Sequence, residues 1–170
     1  MAVSRRTLWL AALGGGVLAA SLSGCGFALR QPTQLPFTKL AISGFKPASP
    51  MAEALRRSLP ATVTVVAQPR DAEVVLVVLE DRYDKTVAAS TAGGQVVEFR
   101  LRVTLRFRLD KPDGSPRLAE QRLELTRDMS YSETAALAKQ AEEAGLVREM
   151  RMDLAQQLLQ MLAVSGKPAA

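Results

Sequence analysis

From Gln95 to Leu109 the chain reads QVVEFRLRVTLRFRL, and every second residue is apolar: Val97, Phe99, Leu101, Val103, Leu105, Phe107 and Leu109. Between them stand Glu98, Arg100, Arg102, Thr104, Arg106 and Arg108. Alternation with period two puts the first set on one face of a strand and the second on the other. A turn, KPDGSP at Lys111 to Pro116, leads into Arg117 to Met129, where Leu123 and Leu125 continue the apolar side. The two segments predict a long antiparallel hairpin, in which Glu120 and Glu124 can match some of the arginines across the strands.

Upstream, Ala72 to Glu80 (AEVVLVVLE) is apolar almost without interruption, as a central strand covered on both faces would be. Phe37 to Ser43 predicts a first strand whose imperfect alternation also suggests burial on both faces. Pro47 and Pro50 end it and open a short helix, Met51 to Ser58. Met51, Ala54 and Leu55 share a face of that helix, and Arg56 and Arg57 lie near its C-terminus, where the dipole favours cations. Pro60 stops it, Thr62 to Ala67 is a short β-branched segment, and QPRD turns the chain into the next strand. After Ser132, Glu133 and Thr134 mark a helix start, Leu137, Ala141, Ala144, Val147, Met150, Leu154, Leu158 and Met161 recur every three or four residues. They form an apolar stripe for packing on a sheet, with Gly145 as a site for a bend.

The N-terminal stretch has a different character. Arg5 and Arg6 precede an uncharged run from Thr7 to Gly24, broken by Gly14-Gly15-Gly16, which is organised as a secretory signal and stands outside the fold. It runs into LSGC, Leu22 to Cys25, with the only cysteine of the chain. That tetrapeptide resembles the bacterial lipobox, in which the signal is cut before the cysteine and the thiol is acylated. The surrounding GCGF has neither helix nor strand periodicity, which disfavours a buried structural thiol, and the chain has no second cysteine for a disulfide. Gly26, where an aspartate would retain a lipoprotein in the inner membrane, resembles a signal for the outer membrane. Ser4 to Leu8 is also similar to a degenerate twin-arginine motif, and the general and folded-export routes both stay open. Stable anchoring needs more than one acyl chain, at about 0.8 kcal/mol per buried methylene. The expected organisation is a leader over 1–24, an acylated linker over 25–34, a single α/β domain over 35–163 and a flexible tail over 164–170.

Charge and reactive residues narrow the function. The formal net charge is +5. Without the two leader arginines, 20 basic residues face 17 acidic ones, a mild +3 that argues against nucleic-acid binding. The chain has no histidine, no G-x-S-x-G elbow, no Walker-type loop and no free cysteine nucleophile after acylation. Glu142 and Glu143 are adjacent on a helix and diverge, as on a solvated face. Asp81 and Asp84 flank Tyr83 in a predicted loop with Arg82 and Lys85 beside them, a poor metal set, and Met150, Met152 and Met161 read as core or edge fillers. The balance points to a binding or assembly component without cofactor or metal. Arg100, Arg102, Arg106 and Arg108 admit two readings: a solvated face that blocks aggregation, or a surface whose guanidinium forks take phosphates and carboxylates.

Taken in order, the lipobox with Gly26-Phe27 and Leu29-Arg30, then Leu35-Pro36-Phe37 entering the first strand, the alternating hairpin, and Leu125-Thr126-Arg127-Asp128 running through Tyr131 into an Ala-, Glu- and Gln-rich helix resemble the LptE family, also known as rare lipoprotein B. Gln31 departs from the family's usual glycine, in the linker. The resemblance implies an α+β two-layer sandwich, two helices packed on a mainly antiparallel four-stranded sheet. It also implies a non-enzymatic, lipid-anchored protein on the periplasmic side of the outer membrane, which plugs and assists assembly of the LptD β-barrel and binds lipopolysaccharide. Arg100, Arg102, Arg106 and Arg108 are then the candidates for the lipopolysaccharide phosphates. The competing reading is a periplasm-facing structural lipoprotein of another envelope or secretion complex. A small-ligand carrier is disfavoured because the seven aromatic residues beyond Trp9 are scattered.

The lipobox yields a direct expectation. Intact-mass analysis should find a mature protein that lacks residues 1–24 and carries lipid on Cys25. An unmodified thiol in a retained leader would refute it, and Cys25→Ala should abolish processing while leaving the domain folded.

Overall fold

The alternating hairpin is present as two long strands, β4 (Val96–Asp110) and β5 (Pro116–Ser130), paired antiparallel from Glu98 opposite Ser130 to Asp110 opposite Pro116. The computed structural model describes residues 34–165, so the leader, Cys25, most of the linker and tail residues 166–170 lie outside the described residues. Ahead of the hairpin come β1 (Lys39–Ser43), helix α1 (Pro50–Ser58), β2 (Thr64–Val66) and β3 (Val74–Ser90); helix α2 (Ala136–Ser165) follows it. Single 3-10 turns at Pro69–Asp71 and Glu133–Ala135 lead into β3 and α2.

The sheet corrects the expected architecture. It has five strands in the order β2-β1-β3-β4-β5 and is mixed, with β1 parallel to both β2 and β3. The short segment TVV supplies the fifth strand because α1 acts as the crossover that returns the chain beside β1, with Lys39 opposite Thr64 and Ala41 opposite Val66. The α+β class and the two helices stand as expected.

β3 is the second correction. It continues ten residues past Glu80 to Ser90, so Asp81 to Lys85 lie on a strand and not in a loop. Their polarity hid this, but each has a partner on β4: Glu80 faces Arg106, Arg82 faces Thr104, and Asp84 faces Arg102. Opposite charges across a ladder stabilise a strand that propensity alone would not suggest. The register shifts between Val78 and Glu80, so Leu79 is an extra residue that reverses which parity faces the helices. Before it, Val74, Leu76 and Val78 enter the core; after it, Tyr83 and Lys85 point to that side, opposite Val103 and Leu101. Gly44 serves the same region. Its φ of +89° is in the left-handed range, and a Cβ there would lie 2.0 Å from the Val78 carbonyl oxygen.

One core joins both helices to the sheet. Met51 and Leu55 of α1 meet Leu40, Val74, Leu76 and Val78, while Val147, Met150, Leu154, Leu158 and Leu162 of α2 cover Leu101, Val103, Leu105, Phe107 and Leu109. The predicted strand parity of β4 holds for these five residues, whereas Phe99 is half-buried and Val97 exposed at the far end. On the back of the sheet, Ala41, Ala72 and Val75 form a small second cluster, so β1 and the first part of β3 are covered on both faces. Thr104 lies on the arginine face yet is fully buried, between cross-strand neighbours Arg82 and Glu124.

Helix α1 starts where Ser49 accepts a bond from the Ala52 amide at 3.0 Å and itself donates to Asp81 Oδ2 at 2.6 Å, tying the cap to β3. The apolar stripe expected along α2 is only half used. Leu137 is 82% exposed, Ala141 and Ala144 are exposed as well, and deep burial begins at Val147. Beneath the first turns the sheet offers Tyr83 and Lys85 in place of apolar side chains, so the contact there is polar.

These two regimes separate by mutation. Leu101→Asp or Leu105→Asp should lower stability by several kcal/mol, since each forces a carboxylate into a fully buried site. Leu137→Asp should shift the urea midpoint hardly at all; equal midpoints for the core and Leu137 variants would overturn the assigned packing.

Candidate functional site

The structure brings Arg100, Arg102, Arg106 and Arg108 onto one face of β4, opposite the helices, as the alternation requires. None stands free. Arg100 grips Asp128 of β5 with both arms of its fork, Nε to Oδ1 at 2.7 Å and Nη2 to Oδ2 at 2.8 Å. Arg106 bridges two strands, from Nε to Glu120 Oε1 at 2.7 Å on β5 and from Nη1 to Glu80 Oε2 at 3.3 Å on β3. Arg102 lies 3.3 Å from Glu124, which Arg122 also holds at 2.5 Å. Arg108 reaches Asp110, two residues along its own strand, at 3.0 Å. On β3, Arg82 extends the same pattern to Asp84 at 2.9 Å and Glu80 at 3.4 Å.

The electrostatics follow from that geometry. The bond from Arg100 holds the Asp128 carboxyl below its ordinary value, against a smaller opposing effect of desolvation. The bond from Arg122, with the charges of Arg102 and Arg122, does the same for Glu124. The face is therefore a zipper of matched charges, and an external anion has to compete with carboxylates already in place. The cross-strand matching expected of Glu120 and Glu124 is present; the contributions of Glu80 and Asp128 were hidden by the bulge in β3 and by the hairpin register, and Asp110 pairs within its own strand.

A second polar cluster overturns the expectation that Glu143 is part of a solvated face. Its carboxylate accepts the Tyr83 hydroxyl at 2.6 Å and the Lys85 ammonium at 2.5 Å, which docks the first half of α2 on β3. Burial alone would raise the Glu143 carboxyl, but the two bonds and the Lys85 charge outweigh it and hold it below its ordinary value. Burial, and then the bond to Glu143, push the Tyr83 phenol up. Lys85 also stands 4.2 Å over the Phe99 ring. Further along, Arg127 of β5 clamps Glu149 at 3.1 Å and Asp153 at 3.0 Å, one helical turn apart on α2. Glu142 remains exposed and pairs with Lys139.

Sequence reasoning passed over a cleft of about 530 Å³ between α1 and the first half of α2, lined by Arg148 and Arg151 among others. Their spacing of three residues on a helix was the available signal. Among the described residues no group of three acidic, histidine or cysteine side chains is placed to hold a metal, and no helix is long and apolar enough to cross a membrane.

What the fold and these surfaces define is a helix-on-sheet α+β domain with a main apolar core on one side of the sheet and a charge-matched face on the other. The family model described as LptE, lipopolysaccharide-assembly, matches residues 37–162, and the chain belongs to that family. It is 30% identical to the LPS-assembly lipoprotein LptE of Photorhabdus laumondii over 150 residues, 86% of this chain and 81% of that protein. It is also 30% identical to the LPS-assembly lipoprotein LptE of Yersinia enterocolitica, covering 94% of this chain and 77% of that one. Among solved structures, lipoprotein B of Nitrosomonas europaea superposes with a TM-score of 0.69 at 27% identity, covering 81% of this chain and 90% of that one. Rare lipoprotein B of Shewanella oneidensis gives 0.64 at 26% identity, with 75% and 96% covered.

The ion pairs carry a sign that titration can read. Because the Asp128 carboxyl is depressed by Arg100, the stability it contributes is fully present above the ordinary aspartate value of about 3.9 and is lost as pH falls through its lower folded-state value. Carboxyl NMR should find its midpoint below the ordinary range, and Arg100→Gln should move that midpoint back up. An unchanged midpoint in the variant would show that the bidentate pair does not form in solution.

Proposed function

We propose that this protein is a non-enzymatic component of lipopolysaccharide assembly, held by an acylated Cys25 on the periplasmic side of the outer membrane. It occupies and assists assembly of the LptD β-barrel and binds lipopolysaccharide in passage. The observation that carries the reading is the family match across residues 37–162, which spans every strand and nearly all of α2. Relatives 30% identical bear the name LPS-assembly lipoprotein.

The surface chemistry supports a place inside a barrel. The lumen of an outer-membrane barrel is polar. A sheet face whose arginines and carboxylates satisfy one another, as Arg100 with Asp128 and Arg106 with Glu120 do, can lie against such a wall without leaving a bare charge. A surface of uniform positive charge would meet there a desolvation cost that this one avoids. In this role the four arginines order the face that meets the barrel, and a glycolipid phosphate reaching them displaces a carboxylate first.

Co-purification from detergent-solubilised outer membrane tests the proposal. A large β-barrel partner in stoichiometric amount is the expected result. Recovery with a different envelope or secretion complex, and no such barrel, would refute it. Charge reversal at Arg100 and Arg106 should weaken barrel retention more than it weakens lipopolysaccharide capture by the purified protein.

A further inference from the structure

The cleft between α1 and the first half of α2 is floored by Tyr83 of β3 and walled by Pro50, Ala54 and Arg57 on one side and by Arg148 and Arg151 on the other. Its carboxylates are already engaged: Glu53 holds Arg57, and Glu143 takes Tyr83 and Lys85. Arg148 and Arg151 have no carboxylate partner among the described residues. Arg151 lies with its guanidinium carbon 5.9 Å from the Tyr83 ring centre, and its Nε is buried without a hydrogen-bond partner. Arg102 Nε and Asp84 Oδ2 on the sheet face are buried without a hydrogen-bond partner in the same way, so what distinguishes the cleft is that its two α2 arginines have no carboxylate partner.

We infer that this cleft is a phosphate site that takes the phosphorylated headgroup of an acylated lipid. Two arginines three residues apart on α2 line the same cleft, and guanidinium forks of this kind match phosphate oxygens bidentately. Beside them Pro50, Ala54, Ala144 and Val147 give the cleft an apolar lining that suits acyl chains. The walls are helix sides, whose backbone groups are engaged within the helices, so an extended acidic peptide finds no ladder there. The inference rests on the proposed role in lipopolysaccharide assembly for its ligand class, and it adds the place on the molecule.

The test uses the full-length protein in neutral detergent, with inorganic phosphate, lipid A and dephosphorylated lipid A as probes. Lipid A should shift the Arg151 Nε–Hε resonance, inorganic phosphate should shift it the same way at higher concentration, and the dephosphorylated lipid should not. Arg148→Glu, at an exposed position that the core does not use, should lower lipid A affinity by roughly tenfold or more. Arg151→Lys keeps the charge but loses the fork and should lower it several-fold, whereas Arg70→Gln, on the exposed turn before β3, should leave it unchanged. Wild-type affinity in a folded Arg148→Glu variant would overturn the cleft while leaving the assembly role standing. Failure of the wild-type protein to take up lipid A would remove that role's ligand and this inference together. Displacement of inorganic phosphate by an acidic peptide but not by lipid A would overturn the lipid as occupant.

Discussion

The register between β3 and β4 is the constraint on which the other features rest. Val78 stands opposite Phe107, Leu79 is extra, and Glu80 then stands opposite Arg106. With that single added residue, the apolar first part of β3 and its charged continuation both lie correctly against one uninterrupted alternating strand. Without it, Glu80, Arg82 and Asp84 would point at the helices, and Tyr83 and Lys85 would face solvent beside the arginines. A slip of one residue inverts every side chain on a strand, so the bulge sets which charges meet and which groups remain for α2. Gly44 is part of the same arrangement, because its missing side chain leaves room for the Val78 carbonyl just before the bulge.

From that register follow two halves with different cohesion. Where the sheet is apolar, α2 is held by Met150, Leu154, Leu158 and Leu162, all fully buried, and the attachment is non-directional and strong. Where the sheet turns polar, the same helix is held by Glu143 on Tyr83 and Lys85, and by Lys139 on Ser130. Polar contacts of this kind are specific in geometry but smaller in net free energy than burial of a large apolar side chain. The first turns of α2 are thus held by polar contacts, and the cleft-lining Arg148 and Arg151 lie beyond them, beside the buried Val147 and Met150.

How far these features could be read from the sequence depended on whether their cause was local. The alternation over Leu101 to Leu109 has one physical meaning, and the burial of those five apolar residues follows it. Helix α1 was equally clear, because Pro47, Pro50 and Pro60 bound it within the segment itself, and the structure adds the Ser49 cap. The polar half of β3 was not readable, since its strand conformation depends on partners about twenty residues away that supply opposite charges. The same holds for α2: its apolar periodicity runs from Leu137 onward, but burial is decided by what the sheet places beneath it. The four arginines were located correctly on their face, yet their partners belong to three strands, so their electrostatic state became visible only once the register was known.

The contrast between matched and unmatched cations decides where an anion can bind with useful strength. An external phosphate at Arg100 competes with Asp128, which the hairpin keeps at a high effective concentration whatever the solution contains. It must also leave that carboxylate without its partner, and the lost bidentate bond offsets the one it makes. At Arg148 and Arg151 no such carboxylate competitor is present among the described residues. On the proposed reading, what each guanidinium gives up matters more than how many are gathered: a phosphate at the four β4 arginines breaks existing ion pairs, whereas one at Arg148 and Arg151 does not.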